Sequence, residues 1–218
     1  MKILITGCSR GIGLATANLY LENHNVSVTG TSTSGHYPIN HPNFKCFSLD
    51  LSSSESISNF VSRIKDMKFD IVINNAAILL DDSNQLSVDL PLLKKTFDVN
   101  VFGTIEFTEQ MLPCVNAGGH IINISSEWGA FSESNFEAFQ PHYKMSKAAL
   151  NMYTKMLAKR VEHRNITVSA LDPGWTKTRM GGAEAPRKPM DVAKEIINLS
   201  TSKVPSGTFW HQGKARQW

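Results

Sequence analysis

Short apolar runs alternate along the whole chain with longer amphipathic stretches, an order that few architectures accommodate. Lys2–Thr6, Val26–Gly30, Phe44–Leu49, Asp70–Asn74, His120–Ile124, Ile166–Leu171 and Gly207–Trp210 read as strands. Gly11–Glu22, Ser53–Asp66, Pro91 to about Leu112, His142–Val161 and Pro189–Leu199 read as helices. In the first helix Ile12, Ala15 and Leu19 stand at helical spacing; in the fourth, Met145, Ala148, Ala149, Met152, Met156 and Leu157 share a face. The serines that open the second helix suit N-capping, and Pro91 suits a first helical turn. The expectation is an α/β chain with a central, doubly wound parallel sheet of about seven strands between helices.

With 218 residues and no linker, repeat or low-complexity block, one domain spans 1–218. A hydrophobic fraction of 41% supports a sizeable core. The net charge of +3 is too mild for nucleic acid, which would want a clustered basic stripe. Arg10, Lys2 and the Lys177–Arg179 pair remain available for phosphates. Cys8, Cys46 and Cys114 are odd in number and widely spaced, which argues against a disulfide framework or a zinc site and for a reducing, cytoplasmic setting. The seven histidines show no ligand spacing, so no metal is expected. No apolar run approaches a membrane span, and the opening MKILITG lacks the apolar region of a signal peptide.

Thr6-Gly7-Cys8-Ser9-Arg10-Gly11-Ile12-Gly13 sits between the first strand and the first helix. A glycine-rich turn there lets backbone approach a pyrophosphate, and the helix N-terminus supplies N–H donors and a favourable dipole. Position, more than the glycines, makes this a Rossmann-type dinucleotide site. Far along the chain, Tyr143 and Lys147 stand four apart on a predicted helix and share a face. A tyrosine's ordinary pKa of about 10 is too high for efficient proton transfer near neutrality. A cation nearby favours the phenolate, so the pair makes an acid/base. A partly buried tyrosine beside a snorkelling lysine is the plainer alternative.

The spacing of the first turn is TGxxxGxG, and with it the chain resembles the short-chain dehydrogenase/reductase family. Asp50-Leu51, Asn74-Asn75-Ala76-Ala77, Asn100, Ser125-Ser126, Tyr143-x-x-x-Lys147 and Pro173-Gly174 with Thr178 follow in that family's order and cover nearly the whole chain. Leu171–Gly182 and Gly207–Trp218 are similar to the compact, C-factor-like carbonyl reductases. The resemblance implies hydride exchange between a nicotinamide dinucleotide and a carbonyl or alcohol. Tyr143 would be proton donor, and Ser126 would hydrogen-bond the reacting oxygen. Lys147 would lower the tyrosine pKa and hold the nicotinamide ribose, and Asn100 would hold a water linking Lys147 to solvent. Ser125 competes with Ser126, and Asn100 has a structural alternative in a helix kink. The implied cofactor contacts are Gly7, Ser9, Arg10, Gly11, Ile12, Gly13, Thr31, Asp50, Leu51, Asn75, Ala76, Ala77, Tyr143, Lys147, Pro173, Gly174, Thr176 and Thr178. Asp50 has a helix-capping alternative, and Asn75 a turn alternative.

A carboxylate at the end of the second strand would accept the ribose 2′-OH and repel a 2′-phosphate. The strand ends Thr29-Gly30-Thr31-Ser32 without one, and Arg10 lies where the resemblance places a 2′-phosphate contact, so NADP is favoured with NAD possible. Hydroxyls of Thr31, Ser32 and Thr33 would add donors. Glu127–Gln140 is longer than the family commonly shows and carries Trp128, Phe131, Phe136 and Phe139. It reads as a wall of an apolar substrate pocket, a loop with its own small core, or an oligomer contact. Thr176–Lys188 reads as a mobile lid freed by Gly181-Gly182. The expected partners are a small carbonyl or alcohol and a second copy, as homodimer or homotetramer. A dinucleotide-binding regulator with incidental turnover is the rival reading. A nucleotide-sugar epimerase is disfavoured because little chain follows Pro173-Gly174.

Overall fold

The computed structural model describes residues 1–132 and 136–218. Seven parallel strands share one sheet: β1 (Lys2–Ile5), β2 (Ser27–Ser32), β3 (Phe44–Ser48), β4 (Phe69–Asn74), β5 (Val115–Ile124), β6 (Thr167–Leu171) and β7 (Thr208–His211). An eighth, β8 (Lys214–Arg216), pairs antiparallel to β7. The order is β3-β2-β1-β4-β5-β6-β7-β8. The central strands are apolar and β-branched almost without a break because helices cover both faces.

The pleat sends alternate residues of β4 to opposite layers. Val72 joins Leu4, Phe60, Phe107, Ile121 and Leu157 under α2 (Ser54–Ile64), α4 (Thr104–Met111) and α5 (Pro141–Arg160). Ile71 and Ile73 join Ile3, Ile5, Tyr20, Ile122 and Ile196 under α1 (Gly11–Leu21) and α6 (Pro189–Thr201). The doubly wound α/β expectation holds. Among the described residues no helix is long and apolar enough to cross a membrane.

Five local expectations change. The eighth strand exists because Gln212 and Gly213 both take positive φ (48° and 74°), the backbone of a two-residue hairpin turn. β5 starts at Val115 rather than His120, since Asn116–Gly119 continues the strand through a Gly-Gly stretch that reads as loop. The single helix expected from Pro91 is interrupted: α3 (Leu90–Phe97) runs into a π-helical segment, Asp98–Gly103, before α4. In α1 the deepest face is Gly13, Thr16, Ala17 and Tyr20, while Ile12, Ala15 and Leu19 are half-buried. Small residues let that helix lie close to the sheet with α6 on its flank. On α5, Met145, Met152 and Met156 are exposed, and Lys147, Leu150, Thr154 and Leu157 face the core.

Candidate active site

Parallel pairing brings the carboxyl ends of β1 to β6 to one edge, where the order reverses between β1 and β4. Thr6 is the brace there. Its Oγ1 accepts from the N–H groups of Asn75 and Ala76, both at 3.0 Å. Asn75 Nδ2 donates to Thr6 O (2.9 Å) and Gly7 O (3.0 Å), tying the loop after β4 to the glycine-rich turn.

Gly7 and Gly11 take φ of 74° and 60°, which side chains disfavour. Gly13 is glycine for space: a Cβ would stand 2.2 Å from Gly7 O and 2.5 Å from Asn75 Nδ2. Arg10 is the N-cap of α1, but no side chain caps the helix and its first turn holds no acid. Its first N–H groups are thus left to accept an anion. Shape, donors and dipole fit a dinucleotide pyrophosphate. Ser9 and Ile12 are half-exposed beside this turn, and the Arg10 side chain is exposed.

The remaining predicted cofactor contacts lie at or after the ends of β2, β3, β4 and β6. Thr31 is buried, and its hydroxyl accepts from Gly7 N–H at 3.3 Å, so it supports the turn. Ser32 donates to His36 O at 2.9 Å. Asp50 follows β3, its Oδ1 engaged by the amide (2.9 Å) and hydroxyl (2.7 Å) of Ser52; the α2 cap is Ser53. Leu51 is buried in the core. Ala76 and Ala77 are half-exposed on the loop after β4. Pro173 and Gly174 follow β6, and Gly174 takes φ of 63°. Lys2 opens β1 at the opposite edge, which removes it from any phosphate role.

Ser126 and Tyr143 share Trp128 as a neighbour near the end of β5. Ser125 is buried and donates to Asn151 Oδ1 at 2.5 Å, whereas among the described residues half-exposed Ser126 accepts only the Trp128 N–H at 3.2 Å. The two serines point apart, and Ser126 is the one left with a free hydroxyl proton. Lys147 is buried, donates to Ile124 O at 2.8 Å, and its Nζ stands 5.4 Å from the Tyr143 ring centre. Burial pushes its pKa down to about 8. Burial, and then the Asp172 carboxylate, push the Tyr143 phenol above its ordinary value, so the hydroxyl keeps its proton. Asn100 lies in the π-helical segment. It accepts from Ile78 N–H and donates to Ile78 O, both at 2.8 Å, and donates to Ser146 at 3.2 Å. Its side chain therefore holds the loop after β4.

Three groups escaped the sequence reading. Asp172 is buried and takes Arg216 (2.7 Å), His211 Nδ1 (3.0 Å) and Gly174 N–H (2.9 Å). Burial alone would raise its pKa; the His211 bond, the Gly174 N–H and the Arg216 charge together hold it below the usual range. The same pairing with Asp172 raises His211. Lys144 Nζ lies 4.2, 5.0 and 5.3 Å from the rings of Phe139, Trp128 and Phe136, and donates to Glu137 O. Trp128 also packs edge-on to Tyr143 at 6.1 Å and to Phe139 at 5.5 Å. These contacts fold much of the aromatic loop onto α5 beside the tyrosine; Glu133, Ser134 and Asn135 lie outside the described residues. Asp81 reaches the start of α5 from the loop after β4. None of these groups carries a local motif, because their partners come from other strand ends.

The segment read as a lid, 176–188, is internally hydrogen-bonded. Thr176 bridges to Arg187, Lys177 N–H donates to Arg187 O (2.8 Å), and Trp175 Nε1 donates to Gly181 O (2.7 Å). Gly181 serves close approach rather than freedom, since a Cβ would stand 2.1 Å from Thr176 O. Buried Thr176 turns its hydroxyl to Pro173 O and Gly174 O, and half-exposed Thr178 hangs over Gly11, 3.3 Å from where its Cβ would be.

Comparison with known proteins agrees with this geometry. A family model described as short chain dehydrogenase matches residues 1–189. A 3-oxoacyl-[acyl-carrier-protein] reductase FabG from Aquifex aeolicus is 31% identical over 220 residues, covering 94% of this chain and 83% of that protein. The C-signal protein of Myxococcus xanthus is 28% identical over 164 residues, 73% of this chain and 98% of its own. Among solved structures, an NADPH-bound carbonyl reductase from chicken fatty liver superposes with a TM-score of 0.89 at 26% identity, covering 100% of this chain and 94% of that one.

Proposed function

This chain belongs to the short-chain dehydrogenase family, and on that premise we propose that it is an NADPH-dependent reductase of a small aldehyde or ketone, using Ser126, Tyr143 and Lys147. The observation that carries the proposal is the buried Tyr143–Lys147 pair at the end of β5, which Ser126 follows, on the edge that also holds the glycine-rich turn.

The Gly7–Gly13 backbone, with Asn75–Ala77 and Pro173–Thr178 around it, would hold the dinucleotide, which would supply the hydride. Ser126 donates to the carbonyl oxygen and steadies the charge that develops there. Tyr143 gives that oxygen its proton. Burial raises its pKa where the resemblance implies a lowered one; this keeps the phenol protonated but opposes release, and the Lys147 cation would work against that rise by stabilising the phenolate left behind. Asn100 seats the loop between cofactor and tyrosine. The absence of an acid after β2 and the exposed Arg10 favour NADP over NAD. A second copy covering the exposed methionines of α5, and a cytoplasmic setting, complete the reading. A pure dinucleotide binder would have no need of the matched Ser126, Tyr143 and Lys147.

The test is to titrate NADPH and NADH by fluorescence, then follow NADPH oxidation with aldehydes, ketones and quinones. Tyr143→Phe should bind NADPH as the parent does and lose roughly 10²- to 10⁴-fold in kcat, the usual contribution of one acid/base group. Binding with no turnover on any carbonyl would move the regulator reading ahead. Failure to bind either cofactor would end both.

A further inference from the structure

Helix α5 begins without a cap of its own. Gln140, its N-cap, takes a left-handed φ of 54° and offers no side-chain bond, and Pro141 at the first position has no N–H. The next two amides belong to His142 and Tyr143, and both donate to Asp81, at 3.1 Å to Oδ1 and 3.2 Å to Oδ2. The carboxylate comes from about sixty positions earlier in the chain, and its side chain is wholly buried. A negative group there also meets the positive end of the helix dipole.

His142 completes the arrangement. Its wholly buried ring places Nδ1 2.5 Å from Asp81 Oδ1. Its Nε2 accepts the Asp89 N–H at 2.8 Å. That bond fixes the tautomer: Nε2 offers its lone pair, so the proton sits on Nδ1, which lies against Asp81 without the alignment of a hydrogen bond. Asp89 itself caps α3 by accepting from Leu92 N–H at 2.9 Å, and Gln140 N–H donates to Gln85 O at 2.8 Å. The loop from β4 to α3, which starts at Asn75–Ala77 on the cofactor side, is thereby fastened to the turn of α5 that carries Tyr143.

We propose that Asp81, with His142, is the positioning residue that fixes the Tyr143 phenol against the cofactor, acting through the Tyr143 backbone and coupling the cofactor-side loop to the acid. Two amides donate to Asp81, one to each oxygen, and the His142 ring lies against it. A carboxylate only accepts and satisfies both, whereas an amide of the same size would turn an NH₂ against one of them. The inference rests on the reductase reading for its kinetic consequence and on geometry alone for the anchoring.

The experiment uses the full chain with Asp81→Asn, Asp81→Ala and His142→Asn. The last keeps a donor close to where Nδ1 stands and loses the Asp89 bond. Melting temperature, NADPH affinity, kcat, the isotope effect with hydride-deuterated NADPH, and amide exchange at the start of α5 are measured for each. Displacing a reacting group by about 1 Å costs on the order of 10²-fold, so Asp81→Asn should lose roughly 10- to 100-fold in kcat. NADPH affinity should stay within about threefold, because the phosphate turn is untouched; the isotope effect should rise as hydride transfer becomes slower, and His142→Asn should retain more activity than Asp81→Asn. A fall in stability alone changes the amount of folded enzyme and leaves the isotope effect where it was. Asp81→Asn with parental kcat and parental isotope effect overturns the proposal. Should the parent itself turn over no carbonyl, the reductase reading fails separately. Amide exchange then decides: faster exchange at His142 and Tyr143 in Asp81→Asn supports the anchor, and unchanged exchange rejects it.

Discussion

At the scale of single residues, two positions carry consequences that can be measured. Lys147 is buried with its pKa brought down to about 8, while in the unfolded chain it titrates near 10.5. Between those values the unfolded chain binds the extra proton, so folding stability rises with pH from about 8 to 10.5. Below that window the folded chain carries a buried cation at its full cost. Lys147→Met removes this rise, and denaturant titrations of both proteins at pH 8 and pH 10 compare them directly. Gly13 has no room for a methyl group against Gly7 O and Asn75 Nδ2. Gly13→Ala should cost about 1–3 kcal/mol or more by overpacking and should abolish NADPH binding, read from urea midpoints and fluorescence. Retained binding with unchanged stability would mean that the turn adapts and that its spacing is not what admits the cofactor.

At the scale of elements, the π-helical segment between α3 and α4 decides how the loop after β4 is seated. Gly103 lets the chain pass Leu51, whose carbonyl would lie 1.8 Å from an added Cβ. Asn100 turns to both backbone groups of Ile78. Segments of this type recur at functional sites because the extra residue redirects a side chain. Asn100→Ala leaves the Ile78 N–H and C=O without partners and should cost about 2–4 kcal/mol, visible in the denaturation midpoint. The sequence marked Asn100 as a water holder or a kink residue; its side chain seats the loop after β4, which is compatible with either role. It could not be read in advance because Ile78 is 22 positions away and the helical period alone predicts an unbroken helix.

At the scale of the whole molecule, the parallel sheet gathers six loops on one edge, beside the side of α5 that carries Lys147. Its opposite side is left with Met145, Met152 and Met156 exposed at 38%, 60% and 57%. An apolar stripe of this kind favours association, so Met152→Glu should shift the protein toward monomer. Sedimentation velocity of parent and variant measures it, and a parent that is already monomeric at high concentration would remove the dimer from the reading. The stripe was visible as a helical repeat, but the sequence could not say which of two apolar faces meets the sheet. Leu150 and Leu157 won the inner side because Lys147 and Thr154 on that same face find buried partners at Ile124 and Asn123.

The sequence by itself determined what depends on short spacing: the strand–turn–helix of the glycine-rich site, the Tyr143–Lys147 face, and the alternation that makes a doubly wound sheet. Those follow from local geometry, which the chain carries with it. Only the tertiary structure decided what depends on distant partners. It separated Ser125 from Ser126 by giving the former Asn151, tied Trp175 to Gly181 by a hydrogen bond, and set Asp172 between His211 and Arg216. It also brought Asp81 to the start of α5. No periodicity records such meetings, because buried polar groups find their partners wherever the fold places a complementary donor or acceptor.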